Sequence, residues 1–346
     1  MRKSGKREFA TIRDVARAAG VSIATVSATI NGTAFVSAAL RARVLEAVQT
    51  TGYAPDGVAR SLKRGVTPLI GLVVSDITIP FFGSLARAAE AAALARGHTI
   101  LMGNSDEDET TERTYLDAMR TQRAAGIILS PAGRRESGYA EALRAAIAVP
   151  AVLIDRSLPE LGWDTVVADH VGSAYAAVGH VAGLGHRRIG FIGGSLRLST
   201  NRERLEGYRR ALAEAGIVED PALLRLENSH AEQAHAAALD LLGGPQRPSA
   251  VLLANIKITA AVLRALSDLG LRCPEDISIA AIDDFPWASL FRPRLTVIAQ
   301  PAEEIGATAV RLLLERLAQP DLPPRTVVLP GRLIVRSSCT PPGDRA

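Results

Sequence analysis

Apolar positions between Thr11 and Thr51 recur at helical spacing and fall into three short blocks. Ile12, Val15, Ala16 and Ala19 share one face, with Thr11 placed as an N-cap and Gly20 where a C-terminal cap would sit. Ser22 opens a second block, faced by Val26 and Ile30 and ending near Asn31-Gly32. A third block, from about Ser37 to Thr51, turns Leu40, Val44, Leu45 and Val48 inward. Two short helices on a tight Gly-containing turn, closed by a third, predict a helix-turn-helix head over residues 1–52. A plain three-helix core would show the same periodicity.

Residues 53–67, Y-A-P-D-G-V-A-R-S-L-K-R-G-V-T, break the pattern. Their short helical patch, with one Leu, is too small to hold a helix alone in water, so it reads as a linker that folds when something orders it. From residue 68 to 346 the pattern is α/β. Apolar runs at 69–74, 99–103, 126–129, 150–154, 189–193, 250–254, 277–282 and 295–298 read as buried strands. Helical stretches lie between them, at about 81–96, 109–124, 136–147, 171–184, 200–216, 230–242, 257–269 and 301–318. Strict alternation predicts parallel sheets with helices on both faces, and the length favours two lobes sharing a cleft.

Charge separates the head from a plain three-helix core. Residues 1–65 hold eleven Lys or Arg against four Asp or Glu, a balance of +7, whereas the remainder balances at −3. A basic head on a slightly acidic body points to a polyanion as the head's partner. No apolar run approaches a membrane span; the longest, Ala145 to Ile154, contains Pro150. The first ten residues lack the apolar stretch of a signal peptide, and the two cysteines, Cys273 and Cys339, suit a reducing compartment. A cytoplasmic location is expected.

In open α/β sheets ligands bind beyond the carboxyl ends of strands. The residues there are Asp76, Asn104, Asp155-Arg156, Asn255 and Asp283-Asp284, and Ser199-Thr200 opens the helix carrying Arg204. As a set they suit a small polar ligand; singly, each could be a helix cap. An enzyme is not expected. Asp283-Asp284 has no third metal ligand at a recognisable spacing, His230 and His235 are five apart, and Gly193-Gly194-Ser195 completes neither a dinucleotide fingerprint nor a P-loop. No G-x-S-x-G elbow is present in the sequence. Neither a metal nor a cofactor is implied.

The motifs resemble the lactose-repressor (LacI/GalR-type) family of bacterial transcription regulators. T-I-R-D-V-A at 11–16, A-G-V-S at 19–22 and T-V-S at 25–27 are similar to its helix-turn-helix, and A-R-S-L-K at 59–63 to its hinge helix. I-P-F-F at 79–82, I-D-R at 154–156, L-G-H-R-R-I at 184–189, E-R-L-E-G-Y at 203–208, A-N at 254–255, P-E-D-I-S-I at 274–279 and P-R-L-T at 293–296 resemble its body. The resemblance implies a periplasmic-binding-protein-like body, a homodimer, a pseudo-palindromic operator in double-stranded DNA and a small-molecule effector in the cleft. It implies DNA contacts from Thr11, Ser22, Ile23, Ala24, Thr25, Ser27, Ala28, Asn31 and Tyr53, with Arg60, Leu62 and Lys63 in the minor groove and Leu62 as wedge. The matched effector residues are Phe81, Phe82, Asp155, Asp169, Thr200, Arg204, Asn255, Asp283 and Trp287. The chain departs from the family pattern at Ala28 (often Arg), Ile79 (Asn), His170 (Asn) and Ile256 (Asp). It ends P-P-G-D-R-A without a leucine heptad, so a dimer is expected in place of a tethered tetramer.

A repressor controlled by a sugar or polyol is therefore the expected function; a cytoplasmic solute-binding sensor that does not touch DNA is the alternative. The expectation of a neutral effector comes from counting three carboxylates against one guanidinium, with aromatic faces suited to a sugar ring.

Overall fold

The structure is a computed structural model that describes residues 10–53, 67–133, 138–226, 231–290 and 292–343. Contacts divide the chain into two compact units, with the division between Thr67 and Pro68.

The first unit contains α1 (Ile12–Ala19), α2 (Ile23–Asn31) and α3 (Ala38–Thr51). Thr11 and Asp14 start α1 reciprocally. The Thr11 backbone N–H and hydroxyl both donate to the Asp14 carboxylate, at 2.9 and 2.7 Å, and these bonds hold the Asp14 carboxyl below its usual range. Gly20 ends the helix at φ 60°, where its N–H reaches the Arg17 carbonyl and that of Val21 reaches Ala16. This pair of bonds is the Schellman arrangement, which needs a left-handed residue. The turn is braced by Arg43, whose guanidinium donates to the Ala19 carbonyl at 2.5 Å. The core is small: Val15, Ala16, Ala19, Val26, Val44 and Ala47, with Ile12, Ile30, Val48 and Tyr53 against it. Leu45, expected inside, is exposed; Ala47 takes the inward position.

The second unit holds two six-stranded sheets. One orders its strands β11-β5-β4-β3-β1-β2, where β1 is Leu69–Val74, β2 Thr99–Asn104, β3 Gly126–Leu129, β4 Ala151–Ile154, β5 Asp164–Ala168 and β11 Thr326–Leu329. The other is ordered β12-β10-β9-β8-β6-β7, from β6 (Ile189–Ile192), β7 (Leu224–Arg225), β8 (Ala250–Leu253), β9 (Ser278–Ile282), β10 (Thr296–Ala299) and β12 (Arg332–Ile334). The sheets are parallel, as expected, with one antiparallel pairing among the described residues, β10 with β12. The helices are α4 (Pro80–Leu94), α5 (Glu109–Thr121) and α6 (Tyr139–Ala146), then α7 (His170–Gly183), α8 (Ser199–Glu214), α9 (Ala231–Gly243), α10 (Ile256–Leu269) and α11 (Ala302–Ala318). The first sheet separates two apolar cores, one on each face, and the second sheet centres a third. The first sheet thus organises an N-lobe and the second a C-lobe. The chain passes between them after β5, after β10 and between β11 and β12, so both lobes are built from discontinuous segments.

Four strands escaped the pattern. β5 opens on the buried Asp164, satisfied by Arg316 and by the Arg325 backbone N–H, so a charged residue interrupts its apolar signature. β7 and β12 have two and three residues, and β11 alternates between exposed and half-buried positions at a sheet edge.

Candidate functional site

The carboxyl ends of both sheets open on one cavity of about 340 Å³ between the lobes. Ser75 follows β1, Asp106 and Glu107 follow β2, Ala132 follows β3, and Asp155 and Arg156 follow β4. From the C-lobe come Gly194 and Ser195 after β6, Leu198, Thr200, Asn201 and Arg204 around and along α8, Asn255 and Lys257 at the start of α10, and Asp283 after β9. Ile79, Phe81 and Phe82 at the start of α4 supply the apolar wall, the two rings meeting edge to face with centroids 5.0 Å apart. Gln300, on a crossing segment, completes the lining.

The four lining carboxylates sit on residues with positive φ: Asp106 at 52°, Glu107 at 61°, Asp155 at 64° and Asp283 at 81°. Left-handed backbone at a non-glycine residue carries strain, which the surrounding hydrogen bonds must offset. At Asp283 one oxygen accepts from Gln300 Nε2 at 2.5 Å and the other from the Ile256 backbone at 3.3 Å. At Asp155 the backbone N–H donates to Val166.

Charge inside the cavity is cross-linked. Arg156 Nη2 meets Glu107 at 2.5 Å, its Nη1 donates to the Pro131 carbonyl at 2.8 Å, and its Nε lies 3.4 Å from Asp155. Burial pushes the Asp155 carboxyl up, while Arg156 and Arg204 pull it back. Arg204 spends its fork on the protein: Nη1 donates to the Ala254 carbonyl at 2.8 Å and Nη2 reaches His170 Nδ1 at 3.3 Å. His170 is 2% exposed, and burial with the Arg204 charge holds it down to about 3. It is therefore neutral, and its Nε2 faces the Asp155 carbonyl at 3.3 Å, so the proton belongs on Nε2. Ser75 Oγ, Asn201 Oδ1, Arg204 Nε and Gln300 Oε1 are buried side-chain atoms with no partner among the described residues. In a cavity wall such atoms await a ligand or water.

Of the nine sequence candidates, seven line the cavity: Phe81, Phe82, Asp155, Thr200, Arg204, Asn255 and Asp283. Two do not. Asp169 caps α7 through Gly172 N at 2.7 Å, and Trp287 stands 46% exposed on the turn Pro286–Ser289, its ring against Phe285. Asn255 does double service, since its Oδ1 caps α10 at Ile258 N. Glu107, Lys257, Ser75, Asn201 and Gln300 were missed, whereas Arg156 was picked out at its strand end and does line the cavity. Ser75 adjoins Asp76, picked out at its strand end, so taking every polar residue there would have found it. Lys257 and Glu107 lie beyond that window. Among the groups weighed for a metal, Asp284 is held by Arg336 at 2.9 Å and His235 by Asp268 at 2.7 Å; His230 lies outside the described residues.

Beside the cavity, Glu112 on α5 is 2% exposed and accepts from the Ala132 backbone at 2.7 Å and the Tyr139 hydroxyl at 2.8 Å. Burial pushes it up to about 7. Its folded value thus exceeds its unfolded one, so its contribution to stability is complete below about 4.5 and is lost as pH rises to about 7. That slope amounts to about 3 kcal/mol. Urea unfolding between pH 4.5 and 8 should show it, and Glu112→Gln should flatten it; an unchanged slope in the variant would remove Glu112 from the account.

In the head, Ser22 Oγ caps α2 through Thr25 N at 3.1 Å, and Thr11 caps α1. Ile23 is 45% exposed and Ala24 is exposed, while Thr25, Ser27 and Ala28 are half-buried. Tyr53 is drawn into the head's core, Asn31 closes α2, and Arg60, Leu62 and Lys63 lie outside the described residues.

Residues 11–56 match the family described as bacterial regulatory proteins, lacI family, and residues 178–339 match a periplasmic binding protein-like domain. The HTH-type transcriptional repressor PurR of Photobacterium profundum is 33% identical over 330 residues, spanning 95% of this chain and 98% of that protein. The ribose operon repressor of Escherichia coli (strain K12) is also 33% identical, over 95% of this chain and all of that one. Among solved structures, the lac repressor dimer bound to operator and the anti-inducer ONPF superposes with a TM-score of 0.85 at 28% identity, covering 96% of this chain and 100% of that one. The transcriptional regulator CelR–cellobiose complex gives 0.71 at 31% identity, over 95% and 99%.

Proposed function

The chain belongs to the lacI family of bacterial regulatory proteins, and on that premise we propose a repressor whose hold on its operator is set by a neutral sugar or polyol in the interlobe cavity. It is a DNA-binding regulator with a small-molecule effector, acts as a dimer, and is not an enzyme. No helix among the described residues is long and apolar enough to cross a membrane. Operator binding takes place where the bacterial chromosome is, and we assign the chain to the cytoplasm.

The neutral class rests on one observation: the cavity's cations are already engaged. Four carboxylates face three cations there, which corrects the count of three against one. Arg156 is spent on Glu107 and Asp155, Lys257 on Asp76, and the Arg204 fork on Ala254 and His170. An anionic ligand would gain Arg156 or Lys257 only by breaking an ion pair, which leaves it the single Arg204 Nε, whereas hydroxyls can use Ser75, Asn201 and Gln300 as they stand. The CelR relative was solved with cellobiose, a neutral sugar. We assign effector contact to Phe81, Phe82, Asp155, Thr200, Arg204, Asn255 and Asp283. Calorimetry on neutral sugars, polyols, sugar phosphates and nucleobases, followed by gel shifts, tests it. A neutral compound should bind and alter operator affinity; tight binding of an anion, undiminished in Asp283→Ala, overturns the class.

For DNA we divide the chain into a head (1–52), a hinge (53–67) and a body (68–346). Contacts are assigned to Thr11, Ser22 to Thr25, Ser27, Ala28 and Asn31, with Arg60, Leu62 and Lys63 carried by the family resemblance. Deleting residues 1–67 should abolish the gel shift and spare effector binding. Ile23 and Ala24 at the exposed start of α2 suit thymine methyls, and Ala28 lacks the fork an Arg would offer guanine. Ala28→Arg should therefore shift base preference at one symmetric pair of operator positions, by about 1–3 kcal/mol. Selection from random DNA that returned one motif for both proteins would refute this readout.

A further inference from the structure

We propose that Lys257 and Asp76 form a latch that holds the two lobes closed over the cavity before any effector arrives. The inference concerns regulation of the same cavity and rests on reading it as the effector site.

Lys257 Nζ lies 2.5 Å from Asp76 Oδ2. Asp76 belongs to the N-lobe, two residues beyond β1, and Lys257 to the first turn of α10 in the C-lobe. They are 181 positions apart and on none of the three crossing segments, so their contact reports lobe closure and not chain connectivity. The carboxylate is prepared for this partner. Asp76 Oδ1 is taken by the Thr78 backbone N–H at 2.9 Å and its hydroxyl at 2.6 Å, leaving Oδ2 for the ammonium. The loop is fixed in turn by Asn104, which accepts from Ile77 N at 2.7 Å.

Local structure does not explain the lysine. A cation in the first turn opposes the helix dipole, and α10 already has its cap in Asn255. What offsets that placement is across the cleft. The Asp76 side chain is 4% exposed while Lys257 keeps 46% of its side chain in solvent, so the pair sits at the rim with its anion buried. Closure desolvates Asp76 and gives it a cation; opening returns both to water. Lys257 also lines the cavity, so a ligand entering there meets the latch directly.

Interlobe distance in the ligand-free, full-length protein tests this. Exposed Ala118 on α5 and Ala236 on α9 take spin labels as Ala118→Cys and Ala236→Cys, with Cys273 and Cys339 replaced by Ser, in dimers labelled on one subunit. The unaltered pair should give one short distance. Lys257→Met and Asp76→Asn should each lower the closed-to-open ratio on the order of fivefold, lengthening the mean distance. The swap Asp76→Lys with Lys257→Asp should recover the short distance, which a merely structural effect would not. Unchanged distributions in both single variants, or no recovery in the swap, overturn the latch. Because no effector or DNA is added, this outcome is independent of whether the ligand is a sugar.

Discussion

Gly207→Ala is expected to lower the stability of the body by about 3 kcal/mol, a fall in Tm of roughly 10 °C. Gly207 lies on α8 where that helix crosses α7. A methyl group built there would stand 2.1 Å from the Val171 carbonyl oxygen and 3.0 Å from both Ala174 Cβ and the Tyr175 nitrogen. Two of these are backbone atoms, so the helices themselves must separate. Alanine's better helix propensity returns only about 1 kcal/mol, so overpacking wins. Gly179 on α7 is the control, because among the described residues nothing lies within 4 Å of the position its methyl would take. Gly179→Ala should raise stability by about 1 kcal/mol. Thermal unfolding that placed both variants on the same side of the wild type would contradict the geometry. Displacing Val171 also moves its neighbour His170, so Gly207→Ala should weaken effector binding as well.

The same motif shows how far the sequence reached. E-R-L-E-G-Y carried the family resemblance, but nothing in its letters said that Gly207 is a point of helix contact, that Tyr208 donates to the Ile189 carbonyl at 2.7 Å, or that Arg204 is braced by His170. Periodicity found the three head helices and eight strands, because burial on one face or both leaves a local signature. It missed the two-residue β7, and it missed β5, β11 and β12, which pair across the chain: Thr165 with Thr326, and Val297 with Ile334. The cavity was legible in part for the same reason. Strand ends are local, so Asp155, Asn255 and Asp283 were found. Asp169, carried only by the family resemblance, serves as a cap, and Lys257 became visible only when the fold brought it to Asp76. Charge counted from single letters went wrong because it could not show which cations were already paired.

Arg204→Met should abolish the effector response while leaving operator binding by the effector-free protein intact. Arg204 is 6% exposed, and its guanidinium satisfies the Ala254 carbonyl and His170 Nδ1 while holding a bare Nε at the cavity wall. Methionine fills a similar length but leaves both acceptors unpaired, each costing about 1–3 kcal/mol, and removes the donor offered to ligand. It also withdraws the charge that restrains the buried Asp155, which then rises further above the usual carboxylate range. Affinity for the neutral compound found in the calorimetric panel should fall by at least about 100-fold, equivalent to roughly 2.7 kcal/mol. Arg204→Lys should not rescue it, since a single ammonium cannot reproduce a planar fork spanning two acceptors. The head is a separate unit with its own core, so the gel shift without effector should match the wild type. Lysine restoring full affinity would reduce Arg204 to a point charge, and undiminished binding by the methionine variant would remove it from the site.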